Sequence, residues 1–261
     1  MQIPVRTRFQ IGLQRTLGLL AFPFLGPLMI LLLRFRGGYR IENLSQVRRR
    51  VAGLLGEGKG PLMICANHLT LIDSLLIHWA ILPMTAYMGD FKRFAWNMPE
   101  RTTLAKQALW RRVVAYLGQC IPVVRGADPE ETRATLAKFG YLLHSGGSVM
   151  VFPEGTRSRC GVIDTRQFAY GPGRLVQAGG DVRVLCVYLR GQNQASYSDW
   201  PEYGDRFYVD VDIIAPRSTH EGLRGARDIA TQIISRLGCM ERKYFESEDM
   251  VGERHRVVEL A

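Results

Sequence analysis

An uncharged apolar stretch at residues 17–33, LGLLAFPFLGPLMILLL, constrains the fold of this chain more than any other feature. As a helix, its 17 residues would extend about 25 Å, which is near the lower limit for crossing a bilayer core. Pro23 and Pro27 disfavour a straight span, because each proline removes a helix hydrogen bond. The pattern predicts a kinked or re-entrant hairpin in the cytoplasmic leaflet, with flanking arginines against anionic headgroups. Residues 1–40 contain no lysine or acidic residue, and their arginines are Arg6, Arg8, Arg15, Arg34, Arg36 and Arg40.

Three other interpretations of residues 17–33 stay open. A cleaved signal peptide is disfavoured because no convincing small-x-small cleavage site precedes Arg34, whereas a buried core helix and a single membrane span both fit the composition. The net charge of +10 would also suit a nucleic-acid-binding protein. The chain lacks a recognisable nucleic-acid-binding module, however, and that function does not explain an apolar stretch between arginines. We therefore expect residues 1–38 to anchor the protein at a membrane surface, with no nucleic-acid partner.

Cysteine and histidine usage indicates the compartment and the absence of a metal. Five cysteines without a C-x-x-C pair give neither a disulfide framework nor a zinc signature, which favours a reducing cytoplasmic environment. The histidines other than His68 have no metal-ligand spacing with carboxylates or cysteines. We expect no metal or other cofactor, and a location on the cytoplasmic face of the cell inner membrane, either monotopic or as a single span.

Residues 39–261 are predicted to form one α/β domain, because strand-like and helix-like patterns alternate along them. Short apolar runs bounded by glycine or proline predict strands at residues 61–66, 120–124, 148–152 and 182–189. Helical patterns and start signals occur at residues 71–82, at residues 129–144 and from Glu221 onwards. The last helix has an apolar face formed by Leu223, Ala226, Ile229, Ile233, Leu237 and Met240.

A histidine and an aspartate stand five positions apart in ANHLTLID, residues 66–73. Five helical steps rotate roughly 500°, so the two side chains would diverge if both lay on one helix. Thr70 and Asp73 fit a capping box, with Thr70 at the N-cap and Asp73 in the first turn. His68 then lies on the turn before the helix, from which its ring could fold back toward Asp73. Taken alone, the pattern is more often a structural helix start than a site.

Two loops that follow predicted strands carry groups suited to binding an anion. The first is FPEGTRSR, residues 152–159, in which proline ends sheet pairing and Gly155 permits close approach of the backbone to a ligand. The donors that this loop offers to an anion are Thr156, Arg157 and Ser158. The second loop is IPVVRGAD, residues 121–128, where Arg125 leaves the predicted strand. Each loop alone is more often a solvated turn.

Taken together, three motifs resemble in order and spacing those of the glycerolipid acyltransferases, in particular the 1-acylglycerol-3-phosphate acyltransferases. The motifs are NHxxxxD at residues 67–73, GxxIPVVR at residues 118–125 and FPEGTRS at residues 152–158. The resemblance covers roughly residues 39–216. It implies an α/β domain on a membrane, with a mixed central sheet flanked by helices, in which His68 activates an acceptor hydroxyl and Asp73 orients it. By the same resemblance, the residues that bind a phosphorylated glycerol backbone are Arg125, Glu154, Gly155, Thr156 and Arg157.

The implied chemistry agrees with the residue types. A histidine can remove the proton of an alcohol as the alcohol attacks a thioester, provided that a carboxylate fixes its tautomer and stabilises the imidazolium. We therefore predict direct transfer from acyl-CoA or acyl-acyl carrier protein to the hydroxyl of a lysolipid, with His68 as base. Cys65 lies three residues before His68 and could in principle be acylated. Its position in an apolar strand indicates a small buried hydrophobe instead.

Two positions depart from the family pattern. Family members often carry a lysine where this chain has Ala169, and a proline in the strand that here reads Leu185-Cys186-Val187. A lost cation near the site favours a headgroup less acidic than that of lysophosphatidate. Transfer to a lyso-ornithine lipid or another lysolipid is therefore one alternative. A non-catalytic lipid-binding membrane protein is another, which the intact histidine and aspartate disfavour.

Overall fold

The computed structural model describes residues 3–58, 60–124 and 126–259, with side chains described as far as residue 248. The strands are β1 (Arg40–Ile41), β2 (Leu62–Ala66), β3 (Ser148–Val151), β4 (Arg183–Gly191) and β5 (Arg206–Ile214). They form one sheet in the order β1-β5-β4-β2-β3. β4 and β5 pair antiparallel and the other neighbours pair parallel. The predicted α/β fold with a mixed central sheet is confirmed.

Helices cover both faces of this sheet. Those that precede β3 are α1 (Val5–Leu31), α2 (Leu44–Gly56), α3 (Asp73–Ile81), α4 (Met84–Gly89), α5 (Arg101–Ala105), α6 (Leu109–Leu117) and α7 (Pro129–His144). Those that follow it are α8 (Gly171–Gly179) and α9 (Gly222–Glu259). One core lies between the sheet and α2, α3 and α4, and a second core lies between the opposite face and α7, α8 and α9.

The side chains of β2 show how the sheet serves both cores. Met63 and Cys65 belong to one core, whereas Ile64 and Ala66 belong to the other, as expected from alternation along a strand. Burial on both faces explains why this strand reads as a continuous apolar run. Cys65 lies opposite Val151 in the parallel pairing of β2 with β3. The chain segments that begin at residues 67 and 152 therefore leave the sheet at the same edge.

Several predicted elements are confirmed, and one is wrong. The strands predicted at residues 61–66, 148–152 and 182–189 form β2, β3 and β4, and the helix at 129–144 forms α7. The strand predicted at 120–124 does not join the sheet and makes only isolated bridges, from Cys120 to Asn97 and from Val123 to Glu100. Pro122 has no N–H to donate to a ladder, which limits regular pairing there. Within the predicted apolar face of the last helix, Leu223 is 56% exposed because it lies in the first turn, ahead of the buried part of α9.

The N-terminal segment is one helix, so the predicted hairpin is wrong. α1 runs through Pro23 and Pro27, and a π-helical segment continues it over Leu32–Arg36. The prolines are four residues apart, so their missing N–H groups affect one helix face. Gly26, between the prolines, packs against Met84 rather than forming a turn. The helix is also not a buried core helix, since only 17% of its most apolar 18-residue stretch is buried. By length and composition, the helix is long and apolar enough to cross a membrane.

Candidate active site

The turn before α3 is organised by the carboxylate of Asp73. Its Oδ2 accepts hydrogen bonds from the backbone N–H of Leu69 at 2.6 Å and of Thr70 at 2.8 Å, and its Oδ1 accepts one from Thr70 Oγ1 at 2.5 Å. The predicted capping box is therefore half formed, because the Thr70 hydroxyl donates to the carboxylate instead of capping the helix. α3 begins at Asp73, two residues later than predicted. Since Asp73 is only 2% exposed, its oxygens require these donors.

His68 lies against this carboxylate, as the sequence predicts. Its Nδ1 is 2.9 Å from Asp73 Oδ2, and the imidazole stacks on Phe152 with ring centroids 4.1 Å apart. The His68 side chain is 18% exposed, so the ring is held on two sides and open on another. With the Nδ1–H donated to Asp73, the Nε2 lone pair is available to take a proton. The arrangement has the chemistry of a histidine base oriented by a carboxylate.

Asn67 fixes the point at which the chain leaves β2. Its Nδ2 donates to the carbonyl of Leu189 and its Oδ1 accepts from the N–H of the same residue, both at 2.8 Å. This pair of bonds extends the attachment of β2 to β4 by one residue beyond the strand. The sequence places Asn67 in a motif but does not reveal this partner, which lies 122 residues away.

Glu154 of the third motif holds the peptide of His68. The His68 N–H donates to Glu154 Oε1 at 2.8 Å, and the His68 carbonyl accepts from the N–H of Ser158 at 2.9 Å. Burial raises the pKa of Glu154 from its ordinary 4.5 to about 8, against the opposing effect of the hydrogen bond from His68. At neutral pH, Glu154 is therefore mostly a neutral carboxylic acid. The structure places this predicted substrate-binding residue against the backbone N–H of His68.

The next two residues of the motif form an open turn. Gly155 has φ +70° and its N–H donates to the carbonyl of Phe152 at 3.0 Å, a conformation that favours glycine. Ala169 packs beside it, since a Cβ on Gly155 would lie 3.5 Å from the Ala169 side chain. Thr156 is exposed at the end of the turn.

Arg157 points toward a loop that sequence reasoning did not assign. Its Nη1 donates to the Ser198 carbonyl at 2.9 Å and to Asp199 Oδ1 at 2.6 Å, and the guanidinium lies 5.4 Å from the ring centroid of Tyr197. The predicted anion ligand is thus paired with a carboxylate of its own chain. Arg125, the other predicted cation, lies outside the described residues.

We call residues 197–203 the strap, because they cross over the turn that carries His68. The Ser198 N–H donates to the Leu69 carbonyl at 3.1 Å, and the Leu71 N–H donates to the Asp199 carbonyl at 3.3 Å. Arg157 adds its side-chain bonds to the same two strap residues. The third motif and the histidine turn are therefore joined through the strap.

A large apolar cavity of about 860 Å³ adjoins the turn. Ile72, Ser74 and Leu75 bring it beside Asp73, and α1, α6 and the strap supply other walls. His78 lines it as well, with its pKa lowered by burial to about 4. That imidazole is neutral and structural, since it is bonded to the Ser74 carbonyl and the Ala95 N–H. A cavity of this size and polarity suits a hydrocarbon chain.

Cys65 has no access to a substrate. It is fully buried within β2, and burial raises the pKa of its thiol well above the ordinary value. A thiolate nucleophile is therefore not available there at neutral pH. Among the described residues, no three His, Cys, Asp or Glu side chains are grouped so that they could hold a metal ion.

Comparison with known proteins agrees with the motifs. The model of the family described as Acyltransferase matches residues 38–190, which include all three motifs. Among solved structures, the chain is similar to the 1-acyl-sn-glycerophosphate (LPA) acyltransferase PlsC from Thermotoga maritima, with 17% identity over 91% of this chain and 81% of that one and a TM-score of 0.48. No curated protein matches the sequence. Because the family model covers more than half of the chain, the protein belongs to the acyltransferase family and is an acyltransferase.

Proposed function

We propose that this enzyme transfers a fatty acyl group from an acyl thioester to the hydroxyl of a lysophospholipid such as 1-acylglycerol-3-phosphate. The acyl donor is acyl-CoA or acyl-acyl carrier protein. Residues 1–38 anchor the protein at the cytoplasmic face of the inner membrane, and residues 39–261 form the catalytic domain. The observation that carries the proposal is the contact of His68 Nδ1 with the buried carboxylate of Asp73, beside a cavity suited to an acyl chain.

The proposed reaction uses two proton transfers. His68 Nε2 takes the hydroxyl proton as the acceptor oxygen attacks the thioester carbonyl carbon, and Asp73 stabilises the imidazolium. The tetrahedral intermediate then collapses, the C–S bond breaks, and the imidazolium returns the proton to the departing thiolate. The acceptor oxygen keeps the acyl group and the histidine regains its neutral form. Glu154 and Ser158 support the step by fixing the peptide of His68.

Two observations favour a second candidate acceptor. Ala169 replaces a frequent family lysine beside Gly155, and Arg157 is already paired with Asp199. Both reduce the positive charge offered to a phosphate. A lysolipid with a less acidic headgroup, such as a lyso-ornithine lipid, is therefore the alternative acceptor.

The proposal is tested with the full chain in vesicles, supplied with labelled acyl-CoA or acyl-acyl carrier protein and a panel of lysolipids, with products identified by mass spectrometry. His68→Ala should reduce transfer by about 10²- to 10⁴-fold, the usual effect of removing a positioned base. His144→Ala is the matched control, because this histidine lies at the end of α7 and bonds the Gly140 carbonyl. Turnover near that of the wild type in folded His68→Ala protein would contradict the mechanism.

A further inference from the structure

α6 leaves an unusually apolar face in the open. None of its side chains is buried, and the fractional exposures are 72% for Leu109, 64% for Trp110, 48% for Val113 and 40% for Tyr116. Leu109, Val113 and Tyr116 follow each other at spacings of four and three residues, so they share one side of the helix. A contiguous set of this kind on a short helix is typical of an interaction surface.

The C-terminal end of α6 rests on α1. Gln14 of α1 donates from its Nε2 to the Tyr116 carbonyl at 2.8 Å and to the Cys120 carbonyl at 3.0 Å. Gly18 lies so close to Leu117 that an added Cβ would be 2.6 Å from its carbonyl oxygen. α1 itself exposes a row of large apolar side chains, which includes Val5, Phe9, Leu13, Leu17, Leu20, Phe24 and Leu28. α6 therefore lies beside α1, and both helices expose large apolar side chains.

The charge around α6 selects the kind of partner. Residues 101–127 contain no aspartate or glutamate, and Arg112 lies on the same side of α6 as Leu109 and Tyr116. Arg111 stacks 5.2 Å from the ring centroid of Trp110. Arginine side chains flanking an apolar helix face can extend to a lipid headgroup while their stems cover apolar surface. Positive charge on both sides of an apolar face fits an anionic bilayer better than the surface of another protein.

Aromatic side chains connect this face to the cavity. Trp110, Trp200 and Tyr203 all line the cavity and are 64%, 57% and 77% exposed, so they stand at its opening. Tryptophan and tyrosine are enriched at the boundary between bilayer and water. The opening of the cavity and the outer face of α6 thus belong to one surface.

We propose that α6 is an interfacial helix, which inserts Leu109, Val113 and Tyr116 into an anionic leaflet beside α1. Trp110 and the strap aromatics then lie at headgroup level, so the cavity opens toward the lipid. The inference uses the membrane location from the proposed function, but it adds a second inserting element within the catalytic domain. It also fixes which side of that domain faces the bilayer.

The test uses the full chain reconstituted in vesicles of phosphatidylcholine and phosphatidylglycerol, with or without bromine atoms on the acyl chains. Brominated lipid should quench the tryptophan fluorescence of Trp200→Phe protein, which lacks the other exposed tryptophan. Adding Trp110→Phe should then remove most of that quenching, since Trp79 and Trp96 are buried. Equal quenching of Trp200→Phe protein with and without Trp110→Phe overturns the proposal, whether α6 then faces water or a second copy of the chain. The quenching requires no turnover. A quenched protein that does not acylate lysolipids therefore contradicts only the proposed function, and an active but unquenched one contradicts only the role of α6.

A charge placed on the face gives an independent measurement. Leu109→Glu should weaken the quenching of Trp110 and lower transfer to lysolipid embedded in vesicles by about tenfold, with transfer to dispersed short-chain lysolipid retained. Leu223→Glu is the matched control, because Leu223 is a similarly exposed leucine at 56% on α9. Equal effects of the two variants on vesicle activity would contradict an inserting α6.

Discussion

At the scale of single residues, the buried carboxyl group of Asp73 and the partly buried one of Glu154 hold His68 in different ways. Asp73 accepts bonds from the turn and from the imidazole itself, whereas Glu154 accepts the backbone N–H of His68. Glu154 needs only an acceptor oxygen for this contact, which its neutral form supplies. Its raised pKa is therefore compatible with its position, and the negative charge near the imidazole comes from Asp73.

The raised pKa of Glu154 predicts a specific dependence of stability on pH. Between the ordinary pKa of 4.5 and the folded value of about 8, the folded state binds more protons than the unfolded state at this position. The resulting stabilisation is complete below the unfolded pKa and is lost as the pH rises through the folded pKa. We expect the unfolding free energy of the wild type to fall more steeply between about pH 5 and about pH 8 than that of Glu154→Gln.

The measurement is chemical denaturation in detergent at several pH values. Glu154→Gln keeps an oxygen that can accept the His68 N–H, so it should also retain most of the transfer activity. Glu154→Ala loses that oxygen and should be impaired. Parallel pH profiles for the wild type and Glu154→Gln would show that Glu154 is already ionised in the folded protein.

Arg157 and Asp199 give a second prediction at this scale. If a substrate phosphate binds Arg157, it must take the guanidinium from Asp199, and Arg157→Ala should raise the KM of phosphate-bearing acceptors by about tenfold or more. Asp199→Asn should instead lower that KM, because it removes the competing carboxylate while the strap keeps its backbone bonds. Steady-state kinetics with one phosphate-bearing and one phosphate-free lysolipid measures both effects. Similar increases in KM for the two variants would mean that Arg157 holds the strap in place and does not bind the phosphate.

At the scale of elements, α1 has one side that packs against the protein and one side that is exposed. Phe22 is 7% exposed and packs edge-on against Tyr87, Phe91 and Phe94, whereas Phe24 is 77% exposed. We expect Phe22→Ala to lower the unfolding free energy in detergent by about 3 kcal/mol, the usual cost of truncating a core phenylalanine. Phe24→Ala should change it by less than about 0.5 kcal/mol and weaken vesicle binding instead.

These two variants form a matched pair, because the same truncation is made two positions apart on one helix. Thermal or chemical unfolding in detergent measures the contribution of each side chain to stability. Flotation with vesicles measures its contribution to membrane binding. A large loss of stability in Phe24→Ala would show that the outer side of α1 is covered by protein and not by lipid.

At the scale of the whole molecule, sequence patterns predict those strands, helices and contacts that depend on residues close together in the chain. β2, β3, β4 and α7 follow from apolar runs and start signals, and the contact of His68 with Asp73 follows from a turn within six residues. Contacts between distant segments leave no local pattern. The bond between Glu154 and His68 spans 86 residues and the bond between Arg157 and Asp199 spans 42. The continuity of α1 is not predictable locally for a related reason, because α1 packs against α4 and α6, which lie far along the chain.

The cavity shows the same dependence on distant segments, because α1, α3, α6 and the strap are far apart in sequence and meet only in the fold. If it holds the acyl chain, filling it should shorten the chain that the enzyme prefers. Ala115 lines the cavity, so we expect Ala115→Phe to shift the ratio of short-chain to long-chain transfer by about tenfold or more, given the energy of a few methylene groups in an apolar pocket. Ala105→Phe is the matched control, because Ala105 is exposed on α5 and does not line the cavity. A mixture of acyl-CoA chain lengths with mass-spectrometric readout measures the ratio directly. An equal loss for every chain length in folded Ala115→Phe protein would mean that the acyl chain lies elsewhere.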